Sequence, residues 1–219
     1  YFTTASYQRD ELESATNINI RPERIIPCGY DNQLYKLSKD VKREDGIVLT
    51  LGRKFFQKNF NLIYKSWEQS LNKVKSKMWL FGYDADALAR LNPNMKSFGS
   101  PSNEDVNKLY NQATLTVMAS LHEGFCLPAL EAMATGCPLI CTDMHGNRDF
   151  CQDGKNCIMV PQNDQKAMSG AIEKLLSDKK LQQKLSSAGL KTAKNYTWDA
   201  IIPKLENFYQ DVESKFIKQ

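Results

Sequence analysis

Glu123 and Glu131 stand eight positions apart inside SLHEGFCLPALEAMATGCPLICT, residues 120–142. The apolar run 114–118 ahead of them reads as a buried strand, and Pro138–Cys141 behind them as a second. Between the two, 120–127 is a polar loop. Pro128 suits a first helical turn, since its missing N–H is no loss there. Gly136 supplies a left-handed stop to a helix running to about Thr135. The unit is strand, loop, helix, strand, and both strands are apolar enough for the inside of a parallel sheet. Glu123 then falls in the loop at the carboxyl end of the first strand, and Glu131 in the first turn of the helix. The amides of Gly124, Phe125, Cys126 and Leu127 lack β partners in such a loop. They lead into a helix N-terminus, where an anion is favoured. Open α/β sheets bind ligands at the carboxyl ends of their strands. An anionic ligand carrying hydroxyls suits this place, with amides for the anion and carboxylates for the hydroxyls. The spacing alone is weak, because a glutamate near a helix start also serves the helix dipole.

A second set of groups converges on the same edge. The run IVLTL reads as a strand ending at Leu51, and Gly52-Arg53-Lys54 and FFQKN follow it. Gly52 permits a tight strand-to-loop turn. Arg53 and Lys58 are then expected at the carboxyl end of this strand, on the edge that carries Glu123. Taken alone they are two solvated cations in a basic loop; beside the glutamate pair they read as phosphate ligands.

The strings EGF, LEAMA and GCP together resemble the E-x7-E signature of retaining glycosyltransferases with the GT-B fold, in particular the large family 4 (group 1). The resemblance runs from residue 1 to about 210 and covers only the C-terminal, donor-binding half of such enzymes. It implies a Rossmann-like parallel sheet with helices on both faces. It implies a UDP- or GDP-sugar as donor, with no separate cofactor. It implies transfer with retention to a saccharide or lipid-linked acceptor held by an N-terminal domain, as in polysaccharide biosynthesis. By the same resemblance Arg53 and Lys58 grip the diphosphate, and the amides of 124–127 hold the β-phosphate and sugar. Glu123 holds a donor-sugar hydroxyl, and Glu131 the ribose hydroxyls. The turn Phe98-Gly99-Ser100 lies against the base. The fit is partial in two places: Cys28-Gly29-Tyr30-Asp31 stands for a P-N-G-V-D turn, and His145-Gly146 with Asp149 stands for a G-G-x-x-E loop. A nucleotide-sugar-binding module without catalysis, or a phosphorylase or synthase of the same fold, would carry the same motifs.

Composition bounds the alternatives. The 219 residues allow one α/β domain with a substantial core. A net charge of +4 is too small to argue for nucleic acid. No apolar run is long enough for a bilayer span, and the first residues lack the pattern of a signal peptide. A chain opening on Tyr1 reads as a fragment or a processed piece, folding alone but inactive alone. Neither G-x-G-x-x-G nor a P-loop is present. The 6 cysteines form no C-x-x-C pair, and the 2 histidines, His122 and His145, are distant in sequence. Reduced thiols and no metal site are expected, in a cytoplasmic enzyme that could also work at the inner face of a membrane.

The elements that must position these groups alternate from residue 46 onward, which implies the parallel sheet. Residues 1–16 read as a hinge segment from an absent N-terminal domain, with a short helix over 6–14. Residues 36–45 read as a surface connection. Ser102 and Asp105 sit in capping-box positions for a helix to about Gln112. Residues 197–219 read as a C-terminal amphipathic helix with Trp198, Ile201, Ile202, Leu205, Phe208, Tyr209, Val212 and Phe216 inward. Pro203 is expected to bend that helix.

Overall fold

A computed structural model describes residues 2–216. Six parallel strands form one sheet in the order β3-β2-β1-β4-β5-β6. They are β1 (Ile47–Leu51), β2 (Lys77–Phe81), β3 (Met95–Ser97), β4 (Leu115–Met118), β5 (Leu139–Thr142) and β6 (Ile158–Val160). Register runs from Ile47 opposite Lys77 in β1–β2 to Thr142 opposite Val160 in β5–β6. The chain moves outward from β1 to β3, then returns to start β4 on the other side of β1. The loops after β1 and β4 therefore part to opposite faces, and the crevice between them is the ligand position of open α/β sheets.

Alternation along the strands explains why both faces are covered. Ile47 and Leu49 face one apolar layer while Val48 faces the other; Leu139 and Cys141 are split from Ile140 in the same way. The first layer is closed by α4 (Asn103–Gln112) and α5 (Leu127–Ala134). The second is closed by α2 (Phe60–Ser70), α3 (Ala85–Ala89) and α6 (Gln165–Ser177). In α2 the residues Phe60, Ile63 and Trp67 recur at helical spacing, and Trp67 is fully buried. Burying such a side chain is worth about 1.5–3 kcal/mol, and the indole N–H is satisfied by Ser76 Oγ at 2.9 Å. Ser102 caps α4 through the Asp105 amide at 3.2 Å, and Asp164 caps α6 through the Ala167 amide at 2.8 Å. The remaining helices are α1 (Ser6–Thr16), α7 (Lys179–Ala193) and α8 (Trp198–Phe216).

The fold departs from the sequence reading at several points. Glu131 is the fifth residue of α5, so it lies in the second turn and not the first. Gly52 has a steric role: a Cβ there would stand 2.8 Å from Ala85 Cα, so α3 can close on the end of β1 only over a glycine. Residues 36–45 are more than a surface connection. Arg43 reaches inward and donates to the carbonyls of Tyr110, Ala113, Thr135 and Gly136, satisfying the carboxyl ends of α4 and α5. Among the described side chains of α8 only Ile201 is fully buried; Trp198, Ile202 and Tyr209 are exposed, and Leu205, Phe208 and Val212 are half-buried. Pro203 lies inside the helix, as expected. The Phe216 side chain lies outside the described residues.

Candidate functional site

Two loops build the site. After β1 the chain makes a short 3-10 turn, Phe56–Lys58, and Asn59 leaves it in a left-handed conformation (φ 50°). The Leu121 amide donates to the Gln57 carbonyl at 2.8 Å, which ties this turn to the loop after β4. That tie places Lys58 Nζ 2.5 Å from Glu123 Oε1. The pair is largely shielded, with side chains 30% and 19% exposed. Lys58, Glu123, Thr50, Tyr110, Cys126 and Pro128 line one small pocket at the carboxyl edge of β1 and β4.

The loop from Glu123 into α5 is held open at its backbone. Among the described residues the amides of Gly124, Phe125, Cys126 and Leu127 donate no hydrogen bond. Cys126 takes a left-handed conformation (φ 72°), which turns the chain into the helix. That conformation is costly for any residue with a Cβ, and burial of the side chain offsets the cost. Burial also pushes the Cys126 thiol up to about 12, so it stays protonated. Four free amides at a helix start, beside a lysine, form an anion cradle.

Glu131 sits apart from this pair. It is half-buried inside α5, and desolvation pushes its carboxyl up to about 7. The Tyr35 hydroxyl faces it and works in the opposite sense. Glu131 therefore titrates near neutrality and lacks a cationic partner among the described residues. Arg53 is exposed, and its guanidinium lies 5.8 Å from the Tyr83 ring. It lies on the expected edge without joining the Lys58–Glu123 pair. Phe98 packs on Trp79 at 5.0 Å, with Lys96 Nζ 4.6 Å over its ring. Phe98 also lines a groove that reaches Gly46 and Lys77. Gly99 (φ 60°) makes the turn, and its carbonyl accepts from Gly82 N–H at 2.6 Å. Ser100 is exposed beside it.

The sequence did not show how the segment at 6–16 and the loop after β5 meet the loop after β4. Helix α1 lies over the loop after β4: the Tyr7 hydroxyl donates to the Glu123 carbonyl at 3.0 Å, and Gln8 Nε2 to the Gly124 carbonyl at 3.3 Å. His122 and His145, distant in sequence, meet with their Nδ1 atoms 2.8 Å apart, and Tyr7 packs on both rings. Asp149 faces α1: its carboxylate accepts the Ser6 amide at 2.8 Å, at the positive end of that helix. Gly146 lies so close to the loop that a Cβ there would stand 2.5 Å from the Glu123 carbonyl and 2.6 Å from the Phe125 amide. The Tyr110 hydroxyl is buried without a partner among the described residues.

Comparison with known proteins places this geometry in context. The family model described as glycosyl transferases group 1 matches residues 32–192. The D-inositol 3-phosphate glycosyltransferase of Corynebacterium diphtheriae is 32% identical over 108 residues, 49% of this chain and 25% of that protein. The sucrose-phosphate synthase of Thermosynechococcus elongatus superposes with a TM-score of 0.85 at 22% identity, over 97% of this chain and 58% of that one. The pneumococcal O-GlcNAc transferase GtfA, solved with UDP and GlcNAc, superposes with a TM-score of 0.78 at 19% identity, over 96% of this chain and 44% of that one. Two further curated relatives are covered over 47% and 55% of their length, so the chain spans a quarter to about half of such proteins. Among the described residues no helix is long and apolar enough to cross a membrane.

Proposed function

The chain belongs to the glycosyl transferases group 1 family, and from that premise we propose that it is the C-terminal, donor-binding half of a retaining family 4 enzyme of the GT-B fold. Its donor is a nucleoside-diphosphate sugar, UDP- or GDP-linked. Its acceptor, a saccharide or a lipid-linked saccharide, is held by a second, N-terminal domain. The observation that carries the reading is the Lys58–Glu123 pair set against four undonated amides, at the point where the strand order reverses.

Each group then has a task. Lys58, with Arg53 swinging from Tyr83, neutralises charge on the departing diphosphate, and the amides of 124–127 bind its β-phosphate. Stabilising charge where it develops is the electrostatic part of the catalysis. Glu123 accepts from a hydroxyl of the sugar and holds the anomeric carbon in place. Glu131 accepts from the ribose diol. The backbone of Gly99 and Ser100 borders the base. Lys58 exchanges its carboxylate partner for phosphate when the donor binds. In the free protein Glu123 therefore keeps the lysine ordered at little net cost.

The test is donor binding by calorimetry together with sugar transfer by the protein joined to its second domain. Nucleoside diphosphate binding tighter than nucleoside binding, with transfer that retains anomeric configuration, supports the proposal. Equal affinity for the two ligands removes the diphosphate site, and binding without transfer leaves a non-catalytic module.

A further inference from the structure

Three cysteines unrelated to the donor site converge in the core. Cys141 lies in β5, Cys151 in the turn after it, and Cys157 just before β6. Their sulfurs all lie within 4.8 Å of one another, and Cys141 and Cys151 are 4.0 Å apart. All three are buried, none more than 5% exposed. The spacing C-x9-C-x5-C matches no familiar ligand pattern, and for that reason the sequence led to no metal site.

From this geometry we propose that Cys141, Cys151 and Cys157 form a binding site for a thiophilic d10 cation of the zinc–cadmium class. A metal–sulfur bond of about 2.3 Å places the sulfurs of a trigonal site about 4.0 Å apart and those of a tetrahedral site about 3.8 Å apart. The Cys141–Cys151 separation matches the first figure. It is too long for a disulfide. Thiolate sets select soft ions of this kind. Binding releases the three thiol protons to solvent, and three thiolates on a divalent ion leave one net negative charge, which the Asn147 amide donating to Cys141 Sγ partly offsets.

The surroundings hold the thiols ready. Asn147 is fully buried and donates to Cys141 Sγ at 3.5 Å and to the Thr142 carbonyl at 3.0 Å. Asn156 is buried and donates to the Phe150 carbonyl at 2.7 Å. Asn147 thus orients one of the three sulfurs directly, as partners of metal ligands do, while Asn156 holds the backbone of the loop that carries Cys151. The ion would staple residues 141–157 into one closed loop. That loop carries His145 and Gly146 against the donor loop, and Phe150 against Phe125 at 5.5 Å. Occupancy would thus stiffen the donor site without touching the ligand, and this inference stands whether or not the donor assignment does.

Cadmium ion is the probe. Titration of the purified protein should give one equivalent bound, with the ultraviolet cadmium–thiolate band, displacement by zinc and a rise in Tm. Cys151→Ser should weaken binding at least tenfold. Cys137→Ser, a buried thiol outside the cluster, should leave it unchanged. Anomalous scattering from a cadmium-soaked wild-type crystal gives a readout independent of any variant. A peak among the three sulfurs supports the proposal. No stoichiometric band, a peak elsewhere, or equal titration of the two variants overturns it.

Discussion

Lys58 and Glu123 cannot be perturbed independently, and that coupling gives a sharp test of the donor assignment. Replacing Lys58 by Ala removes a charge-assisted contact to diphosphate, worth about 1.5–3 kcal/mol. It also leaves Glu123, 19% exposed, facing the bound phosphates without its partner. At an effective dielectric near 20, a carboxylate roughly 6 Å from a phosphate charge repels it by about 3 kcal/mol, and solvent screening reduces this to about 1–1.5 kcal/mol. Lys58→Ala should therefore weaken nucleoside diphosphate binding about a hundredfold or more, with little change for the nucleoside alone. Glu123→Gln should have the opposite sign. It frees Lys58 and removes the repulsion, so the diphosphate should bind up to tenfold tighter while sugar transfer by the complete enzyme falls by about 10² to 10³. In the double variant the carboxylate penalty is absent, so its loss should be smaller than that of Lys58→Ala. Calorimetry on the four proteins of this cycle, with nucleoside and nucleoside diphosphate, supplies every term. If Glu123→Gln weakens the diphosphate as much as Lys58→Ala does, the pair does not trade partners and the assignment fails.

Three further outcomes are expected. Glu131 is raised from 4.5 to about 7 by burial, so its contribution to stability is complete below about pH 4.5 and is lost as pH rises through 7. The loss is about 3 kcal/mol, and Glu131→Gln should flatten the dependence in denaturant melts between pH 5 and 8; an unchanged slope would move the titration elsewhere. Gly146→Ala drives a methyl group into the Glu123 carbonyl and the Phe125 amide. It should cost at least tenfold in diphosphate affinity, and native affinity in that variant would show the loop yielding freely. The Tyr110 hydroxyl is buried and unpartnered, so Tyr110→Phe should hold or raise Tm; a fall of several degrees in calorimetric scans would reveal a partner.

Local pattern carried much of this molecule. The strand–loop–helix–strand unit around Glu123 could be read because each boundary had its own chemistry: Pro128 at the helix start and Gly136 (φ 66°) at its end. The capping box at Ser102 could be read for the same reason. What stayed hidden depends on contacts between distant segments. Nothing in FFQKN says that Lys58 meets Glu123 and Arg53 does not; the Leu121–Gln57 backbone bond decides that. Phe98 enters as a base contact only through the family resemblance, and nothing in the FGS string shows that its ring packs on Trp79 of the neighbouring strand. The face of α8 was misread because helical periodicity shows which residues are apolar and not what covers them. His122 with His145, and the three clustered thiols, come together only when β5 and the loop behind it are in place.

The placement of α1 has a consequence in time. Its contacts with the loops after β4 and β5 bridge 115 to 143 residues of chain: Tyr7 to His122, Ser6 to Asp149. The bonds that shape α5 and its caps span a few residues each. Closing a long loop costs entropy before its contacts repay it, so such pairings form late. The sheet and the amide cradle should therefore assemble first, with α1 docking onto a surface already made. The same order runs backward in partial unfolding, where the element with fewest buried contacts leaves first. In α1 only Tyr7 is buried, whereas in α5 five of eight residues are. Hydrogen exchange in α1 should outpace that in α5, so that the cradle is uncovered briefly and often while the sheet beneath it stays whole.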